Sequence, residues 1–132
     1  MHSVAHTADL LKFLARSRHI ERAQQALILT AIADKLARVD TVLIHGEDER
    51  LARAVLSIVA RDDLDQAAFG AWTDTILGPP PTGPPTPASL AAGQNRRNLL
   101  VSLHAVLSTD ARKLATLDAA RSMVLAALKK VM

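Results

Sequence analysis

The sequence contains no cysteine and no tyrosine, and Phe13, Phe69 and Trp72 are its only aromatic residues. The absence of cysteine excludes disulfides, thiolate metal ligands and a thiol nucleophile, and it fits a reducing compartment. The shortage of aromatic residues leaves alanine, leucine, valine and isoleucine to build the core. Because alanine and leucine are among the strongest helix formers, this composition predicts an all-α protein.

Long apolar runs are also missing. No segment approaches the roughly 18 consecutive apolar residues of a membrane-spanning helix. The N-terminus lacks the basic stretch and uninterrupted apolar run of a signal peptide. The length of 132 residues is that of one domain. We therefore expect a single helical domain over residues 1–132 that is cytoplasmic and has no membrane partner.

The formal net charge of +3 is unevenly distributed. Residues 1–46 carry six basic and four acidic side chains, residues 47–78 carry three and seven, and residues 79–132 carry seven and two. The basic residues of the last third that could form a phosphate-binding patch are Arg96, Arg97, Arg112, Lys113, Lys129 and Lys130. Nucleic-acid recognition usually adds aromatic stacking, and the aromatic residues lie elsewhere, so we do not expect a nucleic-acid partner.

Apolar residues recur at three- and four-residue steps in six segments, which predicts six helices. The predicted helices are 3–16, 21–38, 47–59, 62–77, 87–107 and a last one from about 110 or 116 to 130. Asp62 or Asp63 is the expected N-cap of the fourth helix, and Gly78 its stop. Thr86 as N-cap with Pro87 at the first helical position should start the fifth.

All six prolines lie in the segment GPPPTGPPTP, residues 78–87, which predicts an extended connector. The helices fall into three successive antiparallel pairs, whose first members start near residues 2, 47 and 88. This spacing matches the roughly 40 to 47 residues of HEAT and armadillo repeats. The sequence therefore predicts a short HEAT/armadillo-like array of about six helices, with a compact six-helix bundle as the alternative.

One group of polar residues has the composition of a metal site. His2, His6 and Asp9 are spaced i, i+4 and i+7, so they share one face of a helix, and their side chains bind divalent ions. Glu47 and Asp48 could add oxygen ligands if the first and third helices are neighbours. A water molecule activated by such a metal would make the chain a divalent-metal-dependent hydrolase, which is the alternative function.

The favoured interpretation of the same region is a structural polar cluster of His6, Asp9, His45 and Glu47. In this interpretation His6 donates to a carbonyl of the loop 40–46, and Asp9 accepts backbone N–H groups there. No Gly-x-Ser-x-Gly elbow or glycine-rich phosphate loop is present. We accordingly assign no catalytic residue, no metal ligand and no cofactor.

The stretches HSVAHTADLL, residues 2–11, and EDERLARAV, residues 47–55, resemble an uncharacterised bacterial family, domain of unknown function 2785. Its members look like HEAT-type helical proteins, so the resemblance implies a helical-repeat fold and leaves the activity open. In that family more helical sequence usually precedes the histidine-containing stretch. The resemblance therefore implies that this chain starts late, with one face of its first helix exposed.

We expect a non-enzymatic structural or protein-interaction module, because stacked helix pairs present a broad surface without needing reactive residues. An array of three pairs has two apolar ends. The exposed face of the first helix, with Val4, Leu11 and Phe13, should be covered by a second copy of the chain. The sequence therefore also predicts a homodimer.

Overall fold

The computed structural model describes residues 17, 21–44, 46–61, 63–78 and 82–131. These residues contain five helices: α1 (Arg22–Ala37), α2 (Glu47–Val59), α3 (Gln66–Leu77), α4 (Pro87–Thr109) and α5 (Ala115–Val131). They contain no strand, which confirms the all-α prediction. The first predicted helix, 3–16, lies outside the described residues. Among the helices described, none has the length and apolar character needed to cross a membrane.

The starts of α3 and α4 are set by side-chain caps. Thr86 accepts a hydrogen bond from the Ser89 N–H at 3.1 Å, and Pro87 is the first helical residue, as predicted. At α3 the predicted cap Asp63 is wrong, because Asp65 accepts from the Ala68 N–H at 3.1 Å. The Asp63 carboxylate is instead bonded to a side chain of α1, so α3 begins later than expected.

Two pairs of helices run side by side in the same direction, α1 with α3 and α2 with α4. The Trp72 indole N–H of α3 donates to the Leu29 carbonyl of α1 at 2.7 Å, and both residues lie near the middle of their helices. The Ser102 hydroxyl of α4 donates to Asp48 of α2 at 2.6 Å. α3 also packs on α5, and α2 packs mainly on α4. Each of these contacts joins helices that are not consecutive in the chain.

α4 and α5 form an antiparallel hairpin at the C-terminal end of the described chain. Arg121 of α5 donates to the Leu107 carbonyl near the end of α4 at 2.9 Å, which satisfies a backbone acceptor that the helix itself leaves unpaired. Consecutive helices α2 and α3, in contrast, pack mainly on α4 and on α5 respectively rather than on each other. The predicted close pairing of consecutive helices therefore describes this last hairpin better than the middle pair.

The core is aliphatic and lies between the helices. Phe69 and Trp72 pack against each other with ring centroids 5.5 Å apart, and both are buried. Fully buried aliphatic side chains from four helices belong to the same core: Ile32, Leu51, Val55, Ile58, Leu99, Leu103, Leu107, Leu117 and Val124. Each such side chain contributes about 1.5 to 3 kcal/mol through burial. Leucine, isoleucine and valine thus form most of a core that has few aromatic residues.

Candidate functional site

The predicted metal cluster is only partly within the described residues. His2, His6 and Asp9 lie outside them, and so does His45. Glu47 and Asp48 form the first turn of α2, where the side chain of Glu47 is completely buried and Asp48 accepts the hydrogen bond from Ser102. Within the part of the chain that the structure describes, no group of three or more histidine, aspartate or glutamate side chains could hold a metal ion.

Asn95 of α4 holds the loop before α2. Its side-chain oxygen accepts from the Leu43 N–H at 2.9 Å, and its side-chain amide donates to the Thr41 carbonyl at 2.8 Å. Asn95 is buried, and it satisfies the buried Leu43 N–H and the partly buried Thr41 carbonyl. Asn95 therefore hydrogen-bonds backbone groups of the loop 40–46, which is the role that the sequence predicted for His6 and Asp9.

A second polar group joins the start of α1 to the connection between α2 and α3. The buried Gln25 amide donates to Asp63 at 3.0 Å, and Arg61 lies 3.4 Å from the same carboxylate. The hydrogen bond from Gln25 and the charge of Arg61 lower the pKa of Asp63. Arg22 and Arg61 also donate to backbone carbonyls, of Asp63 and Ser17 respectively. This network fixes the relative position of chain segments and offers no reactive group.

The predicted phosphate-binding patch does not converge at one place. Arg112, in the connection before α5, is paired with Asp110 at 2.6 Å, while Lys129 and Lys130 lie at the far end of that helix. A helix of 17 residues is about 25 Å long, so these basic groups are well separated. The guanidinium of Arg96 lies against Gly78, at the end of α3. The basic residues are thus distributed over different helix ends.

The outer side of α1 and α3 forms a surface that we name the α1–α3 face. Its exposed small and apolar residues are Ala23, Ala26, Leu27, Thr30, Ala31, Ala67, Ala71 and Thr75, and Asp34 and Asp74 are exposed on the same helices. Residues 23–33, AQQALILTAIA, contain no charged side chain. Leu27 is 68% exposed. A surface helix normally carries charged residues along its outer side, so a stretch of three turns without charge is unusual.

A groove runs along the α1–α3 face between the two helices. It consists of two adjoining hollows of about 170 and 250 Å³, which share Ala26, Leu29 and Ala68. Leu29 and Trp72 are nearly buried and line its floor. Alanine and threonine side chains form the walls of the larger hollow, and Arg22, Gln25 and Asp65 contribute to the lining of the smaller one. Small wall residues keep the groove open, because longer side chains would fill the space between the helices. Such a groove can accept an apolar side chain.

The sequence itself contains a signal for this surface, in the uncharged run of residues 23–33. The three- and four-residue steps of the predicted helix 21–38 place Ala23, Ala26, Leu27, Thr30 and Ala31 in its apolar stripe, which Leu29, Ile32 and Leu36 widen. In the structure all five are exposed, and the buried side of α1 is formed by Gln25, Ile28, Leu29, Ile32, Ala33 and Leu36. The uncharged run of eleven residues was the available signal, since a helix with one solvated side seldom lacks charges for three turns.

Comparison with known proteins gives a family and no activity. The profile of a family described as "Protein of unknown function (DUF2785)" matches residues 1–105. The match covers most of the 132 residues, so the chain belongs to this family. The search of curated proteins found no match. The search of solved structures found none either.

Proposed function

We propose that this DUF2785 protein is a non-enzymatic helical-repeat module that binds another protein through the α1–α3 face. The observation that supports the proposal is the exposed outer side of α1, which is uncharged over residues 23–33, with Leu27 near its centre and a groove beside it. Contiguous apolar surface of this kind marks protein-interaction sites in soluble proteins. The groove between α1 and α3 matches the shape of an α-helix or of an apolar side chain of the partner protein.

The proposal includes HEAT-like stacking of the helices. The contact between Leu29 and Trp72 joins residues 43 positions apart, close to one repeat length. The contact between Asp48 and Ser102 spans 54 positions, and this longer interval contains the proline-rich connector 78–87. Both contacts join helices that run in the same direction, which supports the lateral succession of repeats rather than a bundle around one centre.

A cytoplasmic location in a bacterium and a homodimeric state remain part of the proposal. The cysteine-free sequence supports the first, because proteins of oxidising compartments often carry disulfides. The face of the first predicted helix, with Val4, Leu11 and Phe13, lies outside the described residues. Within the described residues, we assign the dimer contact to the α1–α3 face.

Site-specific photo-crosslinking in intact cells tests the binding function. A photoreactive amino acid replaces Leu27 in one variant and Leu90 in a matched control, since Leu90 of α4 is similarly exposed at 63% but lies outside the α1–α3 face. We expect a defined covalent adduct of higher mass from position 27 and none from position 90. The absence of an adduct at position 27, or equal adducts at both positions, would contradict the proposal.

Metal analysis separates the module from the hydrolase alternative. Protein purified without a polyhistidine tag should contain less than stoichiometric divalent metal, and His6→Ala should leave that content unchanged. Stoichiometric metal that is lost in the folded His6→Ala variant would overturn the non-enzymatic assignment, because it would establish a metal centre at the predicted cluster. Circular dichroism of the variant shows whether its helical fold is intact.

A further inference from the structure

We infer that the partner of the α1–α3 face is a second copy of this chain, bound about a two-fold axis with the two α1 helices antiparallel. The inference rests on the proposed function, and it specifies the occupant of the groove. In a two-fold interface the same patch serves both subunits, so the patch must be complementary to itself. The α1–α3 face meets this condition in shape and in charge.

The shape condition is met because the face carries both a ridge and a groove. The ridge is the outer side of α1, on which Leu27 projects beyond the alanines at positions 23 and 26. The groove lies directly beside it, with Ala68 and Ala71 of α3 as its other wall. When the ridge of each copy lies in the groove of the other, the small residues allow close approach of the helices. Leu27 of one copy then reaches Ala71 of the other.

The charge condition concerns the two ends of α1. Arg22 lines the groove at the first turn of the helix, where its Nε donates to the Asp63 carbonyl and Asp65 lines the same hollow. Asp34 is exposed on the ridge side, three turns further along. In the antiparallel arrangement the end of one ridge lies over the start of the partner's groove, which brings Asp34 to Arg22 of the other copy. Two identical pairs result, and the opposed helix dipoles also attract.

Other exposed apolar residues lie apart from the α1–α3 face. Ile44 and Val42 are exposed on the loop that Asn95 holds. Leu90 of α4 lies in the first turn of its helix, and Arg97 shares its side two turns later. Leu90 therefore serves as the matched control for Leu27.

Sedimentation equilibrium of the full chain tests the inference. We expect the wild type to sediment at about twice the chain mass of 14.1 kDa. Leu27→Glu and Ala71→Arg, which place charges on the ridge and in the groove wall, should each weaken dimerisation at least tenfold. Leu90→Glu should leave it unchanged. All substituted positions are exposed, and circular dichroism confirms that the variants are folded.

A charge-exchange experiment tests the orientation of the two copies. Arg22→Asp and Asp34→Arg should each weaken the dimer, and the double variant should recover most of the lost affinity, because the exchanged charges face each other again. A monomeric wild type, or a dimer that Leu27→Glu and Leu90→Glu affect equally, would overturn the inference. A monomer that still gives an adduct with a different protein at position 27 would leave the proposed binding function standing, so the two failures are distinguishable.

Discussion

At the scale of single residues, the polar side chains that face inward fix loops and helix ends. Asn95 satisfies two backbone groups of one loop, and Trp72 places its indole N–H on a carbonyl of α1. Neither contact could be predicted from the sequence, because each joins residues more than 40 positions apart. The position of Asn95 gives a partial signal, since it follows Ala91 and precedes Leu99 on the buried side of α4.

Replacing Asn95 with alanine should reduce the free energy of unfolding by about 1 to 3 kcal/mol, because the buried Leu43 N–H loses its partner and the partly buried Thr41 carbonyl loses its donor. Urea denaturation followed by the fluorescence of Trp72 measures the change. Asn98→Ala is the control, since Asn98 is half-buried and accepts only from Gln94 of the same helix. A loss for Asn98→Ala as large as that for Asn95→Ala would show that loop anchoring is not the cause.

The pKa of Asp110 should lie well below the ordinary value of an aspartate side chain. The hydrogen bonds from the side chain and backbone of Arg112 lower the pKa of Asp110 from 3.8 to about 2. The folded state therefore gains stability from this carboxylate above pH 3.8, and that gain disappears as the pH falls from about 3.8 to about 2. Carboxyl NMR titration should show the pKa of Asp110 rising in Arg112→Ala. In the neighbouring control Lys113→Ala it should stay unchanged, and an unshifted pKa in Arg112→Ala would contradict the assigned cause.

At the scale of helices, the sequence predicted the elements well wherever the signals are local. The acidic start of α2 and the Thr86–Pro87 start of α4 were placed correctly, because capping and proline chemistry act within a few residues. The start of α3 was not, since aspartates at positions 62, 63 and 65 compete for the cap. A long-range hydrogen bond from Gln25 engages Asp63 and leaves Asp65 as the cap.

Asp65→Ala should lower the free energy of unfolding by about 1 kcal/mol, because the first turn of α3 loses its side-chain acceptor. The amide of Ala68, which donates to Asp65, should exchange its hydrogen faster in the variant. Gln66→Ala changes the adjacent exposed residue without touching the cap, so it should have little effect on either measurement. Unchanged exchange at Ala68 in Asp65→Ala would contradict this assignment of the cap.

At the scale of the whole molecule, the all-α class of the fold and an approximate repeat interval could be predicted from the sequence. The interval follows from local periodicity, but the neighbours of each helix are decided by long-range packing. The contact of Leu29 with Trp72 agrees with the predicted spacing, whereas that of Asp48 with Ser102 spans a longer stretch. The function proposed for the α1–α3 face likewise depends on which side of α1 is exposed, and long-range packing decides that.

The order of α1, α3 and α5 is the most direct test of the proposed array. The chain has no cysteine, so pairs of spin labels can be attached to introduced cysteines at the exposed positions Ala31, Asp74 and Ala126. Double electron–electron resonance on Ala31→Cys/Asp74→Cys and Ala31→Cys/Ala126→Cys measures the separations of α1 from α3 and from α5. Because packed helices lie 8 to 10 Å apart, lateral succession predicts that the second distance exceeds the first by about 10 Å. Equal distances would contradict it and would indicate a bundle around one centre.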